Sequence, residues 1–106
     1  MRRGEVRWYK FDRPDKRRPV VILTRSSALD VLHEATVAPV TSTIRNIPSE
    51  VQLSPSADGM PRDCAVNLDH LQTVPKARLG PVITTLRRDR LEEIRAALLF
   101  ALEFRR

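Results

Sequence analysis

The sequence predicts a mainly β domain with a C-terminal α-helix, its strands forming a small closed or half-open antiparallel barrel. Three observations carry that prediction. Five or six short apolar or alternating runs are separated by proline and polar punctuation, with no room for a crossover helix between most of them. The apolar period then becomes helical from Arg87 to Phe104. At 106 residues the chain has the length of one domain, and no repeat, low-complexity tract or linker divides residues 1–106.

The first strand spans Gly4 to Phe11, where Val6 and Trp8 share one face and Arg7 and Tyr9 the other. Val6 and Trp8 are assigned to the core, which leaves Tyr9 and Phe11 as spare rings. Pro14 ends the strand in a loop. Val20-Val21-Ile22-Leu23 is a continuous, largely β-branched run bounded by Pro19 and Ser26-Ser27, as suits a strand buried on both faces. Thr36 to Val40 repeats that pattern. Glu50 to Leu53 and Cys64 to Leu68 follow as short strands, and Leu71 to Val74 adds a sixth. In the terminal helix Leu91, Ile94, Leu98 and Ala101 or Leu102 form one stripe, with Asp89 suitably placed for the helix dipole. Phe100 and Phe104 lie off that stripe, more apolar surface than one small barrel needs. A symmetric homodimer would bury them, as would a strand wrapping both faces.

Composition removes several function classes. The longest uninterrupted apolar run, Ala96 to Leu102, is seven residues, whereas a membrane-spanning helix needs about 20. The expectation is a soluble, cytoplasmic protein with no membrane partner. One cysteine, Cys64, rules out an intrachain disulfide, and with two scattered histidines it cannot build a structural zinc site. Three glycines leave no phosphate-cradling glycine loop, so no nucleotide cofactor is expected. Asp12, Asp15, Glu34, Glu50, Asp58, Asp63 and Asp69 show no metal-motif spacing, so no metal site is assigned.

The formal charge is +6 and the sequence pI about 10.7, which points to a polyanionic partner. Residues 1–25 carry nine basic and three acidic side chains, so the excess lies at the N-terminal end, around Arg13, Lys16, Arg17, Arg18 and Arg25. A cluster of this kind is either a solvated loop or a landing site for phosphates.

Cutting RNA asks for activation of a 2′-hydroxyl, stabilisation of charge on phosphorus and protonation of the leaving oxygen. Two places in the chain suit parts of that work. Arg17-Arg18-Pro19 stands immediately before the buried run, so Pro19 fixes the exit angle and holds Arg18 at a rigid strand mouth. An arginine's planar donors match a phosphate and stay charged throughout. The second place is Pro39-Val40-Thr41-Ser42-Thr43, where a buried strand runs out into three hydroxyl residues. By spacing alone Thr41 is as well read as an ordinary strand or turn residue.

Four segments, taken in order, resemble the successive blocks of the MazF/PemK toxin family. They are Arg3-Gly4-Glu5-Val6, Arg18-Pro19-Val20-Val21-Ile22-Leu23, Val37-Ala38-Pro39-Val40-Thr41-Ser42, and the stretch from Asp63 to Thr73. The resemblance runs through almost the whole chain, terminal helix included. It implies a single MazF/PemK-like toxin domain over 1–106 with an SH3-like (CcdB/PemK-type) barrel. It also implies a homodimer that acts as a sequence-specific, metal-independent endoribonuclease on single-stranded RNA. The expected products are a 2′,3′-cyclic phosphate and a 5′-hydroxyl end, and the expected inhibitor is an acidic MazE-like antitoxin. Arg18 and Thr41 match the family's catalytic positions. Two departures stand out: the loop reads Asp12-Arg13-Pro14-Asp15-Lys16-Arg17 where relatives often carry Gly-Ser-Glu, and Asp69-His70-Leu71-Gln72 replaces Glu-Gln-Ile-Arg. A glutamate role in the loop therefore does not transfer, and base contacts should differ.

With only five aromatic residues, binding should rest on arginine and phosphate contacts. The RNA-binding candidates are Arg13, Lys16, Arg17, Arg25, Ser42 and Arg45, with Asn67 and Gln72 as possible base readers; solvated surface is the alternative for each. Two rival functions share the barrel: a CcdB-like gyrase-binding toxin without nuclease activity, and a non-catalytic nucleic-acid-binding barrel. The first is disfavoured because the chain's one tryptophan is at position 8, not in a C-terminal tail.

Overall fold

Val20, Val21 and Ile22 are all fully buried, although their side chains alternate across the sheet. This is possible because apolar clusters lie on both sides. In the structure, a computed structural model that describes residues 1–12 and 17–104, β1 (Glu5–Lys10) and β2 (Arg17–Ile22) form an antiparallel pair at the centre. β3 (Glu34–Thr41) lies on the other side of β2, with Val20 opposite Pro39 and Val21 opposite Ala38. The outer edge of β3 is shared. Its first half pairs with β6 (Gln72–Pro75) and its last two residues pair with β5 (Cys64–Asn67). β4 (Glu50–Leu53) continues beyond β5, and β7 (Val82–Thr85) flanks β1. Splitting one strand between two partners curls the antiparallel sheet into a half-barrel.

The larger cluster, with Val6, Val21, Ala38, Val40, Val66 and Leu68, is covered by α3 (Arg88–Ala101). Ile94 and Ala97 are buried there, and Leu91, Leu98 and Ala101 pack at its margin, which is the stripe expected from the sequence. The smaller cluster holds Tyr9, Val20, Ile22, Val37 and Val74 on the opposite face.

Several expectations need correcting. Tyr9 is not a spare ring: it lies opposite Arg18 on the face of Val20, is 6% exposed, and meets Phe11 edge-on with centroids 4.9 Å apart. Trp8, expected in the core with Val6, is only partly buried, because its cross-strand partner is Pro19 near the strand end, away from Val21 in the middle. The second strand begins at Arg17, so Arg18 lies within it and not before it.

Four elements among the described residues were not anticipated. They are β7, α1 (Ser26–Leu29), α2 (Pro55–Asp58) and a 3-10 turn at Lys76–Arg78. Local chemistry accounts for α2: the Ser54 hydroxyl accepts from the Ala57 N–H at 3.1 Å, Pro55 opens the turn, and Gly59 closes it at φ 76°. β7 has Val82 and Thr85 exposed and no alternating apolar pattern to announce it. In the last turn of α3 and just beyond it, Phe100, Leu102 and Phe104 are 59%, 50% and 66% exposed, so no strand among the described residues wraps this end.

Candidate active site

Where β1, β2 and β3 run out together, a cleft of about 280 Å³ opens. It is lined by Trp8 from β1, by Arg17, Arg18 and Pro19 from β2, and by Val40, Thr41 and Ser42 from the end of β3. Its remaining wall is Met60, Pro61, Arg62 and Cys64. Consecutive residues of a strand point to opposite faces, so lining by runs of consecutive residues places the cleft across the strand ends. The volume lies below the roughly 300–1,000 Å³ typical of pockets that enclose a whole small ligand. It suits one link of a longer molecule.

Both halves of this geometry come from the sequence. β2 and β3 pair with Val20 opposite Pro39, and the same register carried two residues further sets Arg18 across from Thr41. Thr41 ends its strand in a local turn: its hydroxyl oxygen accepts the Thr43 N–H at 3.1 Å. The hydroxyl hydrogen is left to donate outward. Arg17, Arg18 and Arg62 have no ion-pair partner among the described residues, so three uncompensated guanidinium groups face one small cleft. That is a field for an anion with several oxygens.

Cys64 is not a nucleophile in this setting. Burial, followed by the charges of Asp58 and Asp63, pushes its thiol up to about 11 against a smaller opposing effect of Arg62, so it stays protonated near neutrality. The wall from Met60 to Arg62 hangs from α2, which Asp58 anchors. Its carboxylate is almost wholly enclosed and accepts from Arg90 Nε at 2.8 Å, Arg90 Nη2 at 3.1 Å and the Ser54 N–H at 2.9 Å. Burial by itself would raise the Asp58 pKa. The Arg90 and Ser54 hydrogen bonds, with the charges of Arg90 and Arg87, outweigh it and hold the carboxyl below its usual value.

Of the residues singled out from sequence, Arg17, Arg18, Thr41 and Ser42 come together here. Arg25 precedes α1 beyond the far end of β2. Arg45 is held in the β3–β4 loop by Glu50, through its backbone N–H at 2.9 Å and its guanidinium at 3.5 Å. Asn67 shapes the turn after β5 by accepting the Asp69 N–H, and Gln72 opens β6 opposite Val37, so neither lines the cleft. Arg13 and Lys16 lie outside the described residues. Sequence reasoning missed Trp8, Met60, Arg62 and Cys64 as cleft residues. A usable signal for Arg62 was its place after Pro61 just ahead of the strand that opens at Cys64.

Residues 2–102 match the family described as PemK-like, MazF-like toxin of type II toxin–antitoxin system. The chain belongs to that family. This toxin is 44% identical to the probable endoribonuclease MazF5 of Mycobacterium tuberculosis over 101 residues, covering 95% of this chain and 92% of the relative. Among solved structures, the M. tuberculosis toxin MazF-mt6 superimposes with a TM-score of 0.87 at 30% identity, over 96% of this chain and 99% of that one. A MazE–MazF crystal structure from Deinococcus radiodurans gives 0.81 at 25% identity, over 99% and 98%. The SH3-like half-barrel with its terminal helix is thus the family fold.

Proposed function

We propose that this toxin, an endoribonuclease of the PemK/MazF family, cuts single-stranded RNA in the cleft at the ends of β2 and β3, with Arg18 and Thr41 on the scissile phosphate and no metal or other cofactor. The 2′-oxygen attacks the adjacent phosphorus, the bond to the 5′-oxygen breaks, and the products are a 2′,3′-cyclic phosphate and a 5′-hydroxyl end. The 2′-hydroxyl gives up its proton as the new P–O bond forms, and the departing 5′-oxygen gains one.

Arg18 opposes the negative charge that builds on the nonbridging oxygens and on the leaving side. Thr41 donates its hydroxyl hydrogen to a nonbridging oxygen, since its own oxygen is already engaged by Thr43. The observation that carries this reading is that Arg18 and Thr41, far apart in sequence, line one cleft with Arg17 and Arg62. Arg17 and Ser42 then hold neighbouring phosphates. Arg25, Arg45, Asn67 and Gln72 are candidates for a longer RNA track outside the cleft.

The relatives found are endoribonucleases, so the gyrase-binding and non-catalytic readings are not favoured. An acidic antitoxin fits the basic N-terminal third, and a second copy of the chain fits the exposed Phe100 and Phe104. The D. radiodurans MazE–MazF structure supports the antitoxin.

The test is cleavage of a long RNA by purified protein in the presence of a chelator, with sequencing of the fragments' 5′ ends. Arg18→Ala and Thr41→Ala should each lose most of the activity with melting unchanged. Full cutting by both variants, or chelator-sensitive cutting by the natural protein, would overturn the assignment.

A further inference from the structure

We infer that Trp8 is a stacking platform for one unpaired nucleobase of the bound strand, and that Arg17 covers this platform until the base arrives. The inference rests on the reading of the cleft as an RNA site. It concerns what holds a base there, beyond what acts on the phosphate.

Trp8 is the one aromatic ring among the described residues that lines the cleft. Tyr9 and Phe11 are packed into or against the smaller cluster, and Phe100 and Phe104 lie at the end of the terminal helix. The Trp8 backbone is held on both sides of its Cα: its carbonyl accepts the Gly80 N–H at 2.7 Å, and its backbone N–H donates to the Pro81 carbonyl at 3.2 Å. A Cβ on Gly80 would stand 3.1 Å from the Trp8 carbonyl oxygen, so this close approach favours glycine. An anchored backbone limits the ordering that remains to be done when a base lies on the ring.

The Arg17 guanidinium carbon sits 4.8 Å from the centre of the Trp8 ring, a cation–π contact that covers one face of the indole. Arg17 forms no ion pair among the described residues, so a phosphate can draw it away. Unpaired bases in single-stranded complexes stack on aromatic and arginine planes regardless of sequence. Arrival of a nucleotide would exchange one cation–π contact for a base–indole stack plus an Arg17–phosphate pair.

Trp8 is the chain's only tryptophan, so its fluorescence reports this exchange directly. The probe is a pool of single-stranded deoxyribo-heptamers, which lack the 2′-hydroxyl and cannot be cut by this chemistry. The control is an abasic deoxyribose-phosphate heptamer. Base-bearing heptamers should quench or shift the Trp8 emission, and abasic ones should bind with little change. Trp8→Leu should weaken heptamer binding about five- to a hundredfold while altering abasic binding less than about twofold. Trp8→Phe, which retains a π face, should recover most of the difference.

Equal emission changes with both probes, or a Trp8→Leu variant that binds heptamers as well as the natural protein, overturn the platform while leaving the cleavage site standing. Binding of neither probe overturns the platform together with the RNA cleft beneath it. Should Trp8→Leu fail to fold, the emission comparison on the natural protein decides alone.

Discussion

Replacing Asp58 with asparagine keeps the side chain's shape and removes its charge, which isolates what the carboxylate does beneath the cleft wall. The natural carboxylate is 1% exposed and takes three hydrogen bonds, two of them from Arg90. An asparagine can accept only some of these and turns an amide N–H toward a guanidinium or the Ser54 N–H. Removing one partner of a buried pair costs about 3–5 kcal/mol. Arg90 is 20% exposed and retains Glu93 at 3.0 Å, so the lower figure, about 3 kcal/mol, applies. For a domain of this length that is a fall in melting temperature of roughly 10–15 °C. The pH dependence fixes the cause. Asp58 titrates below its unfolded value, so its contribution is complete above that value and is lost as pH falls through the native pKa. Thermal unfolding by far-UV circular dichroism should show the gap between natural protein and variant full at pH 6 and closing toward pH 2. A melting point within about 2 °C of the natural protein at pH 6, or a gap that persists unchanged at pH 2, would refute the electrostatic account of this anchor.

Three further expectations follow from the same packing. Gly59→Ala puts a Cβ 3.0 Å from Thr84 Oγ1 at φ 76°, and denaturant unfolding should show a loss of about 1–2 kcal/mol. The thiol of Cys64, with its pKa raised to about 11, should react with iodoacetamide slowly at pH 8 and faster as pH rises toward 11 in the folded protein; fast labelling at pH 8 would contradict its enclosure. Arg62→Ala should weaken RNA binding and reduce the slope of log affinity against log salt by about one unit, with the melting temperature unchanged because Arg62 is exposed and unpaired among the described residues.

Much of this architecture was legible along the chain because its signals are local. The β-branched run at Val20–Ile22 and the stripe through Leu91, Ile94 and Leu98 each depend on near neighbours in sequence, and each sits as expected. The family blocks that singled out Arg18 and Thr41 were legible in the same way, as order and spacing along the chain. Tyr9 and Trp8 exchanged roles because alternation tells which residues share a face but not what covers it. A second apolar cluster, assembled from β2, β3 and β6, buried the face that seemed open. The split of β3 between β5 and β6 likewise follows from competition among distant strands for one edge.

By itself the sequence determined the types of the main elements and the basic character of the N-terminal third, and it singled out the two residues proposed to act on the phosphate, since these are properties of residue kinds and short-range spacing. Only the tertiary structure decided that Arg62, Met60 and Cys64 form the opposite wall, that Asp58 ties this wall to Arg90, and that Arg17 lies over Trp8. Those contacts close long loops between strand ends. Their existence depends on where each strand stops against its partners, a global balance of packing that no local window of sequence contains.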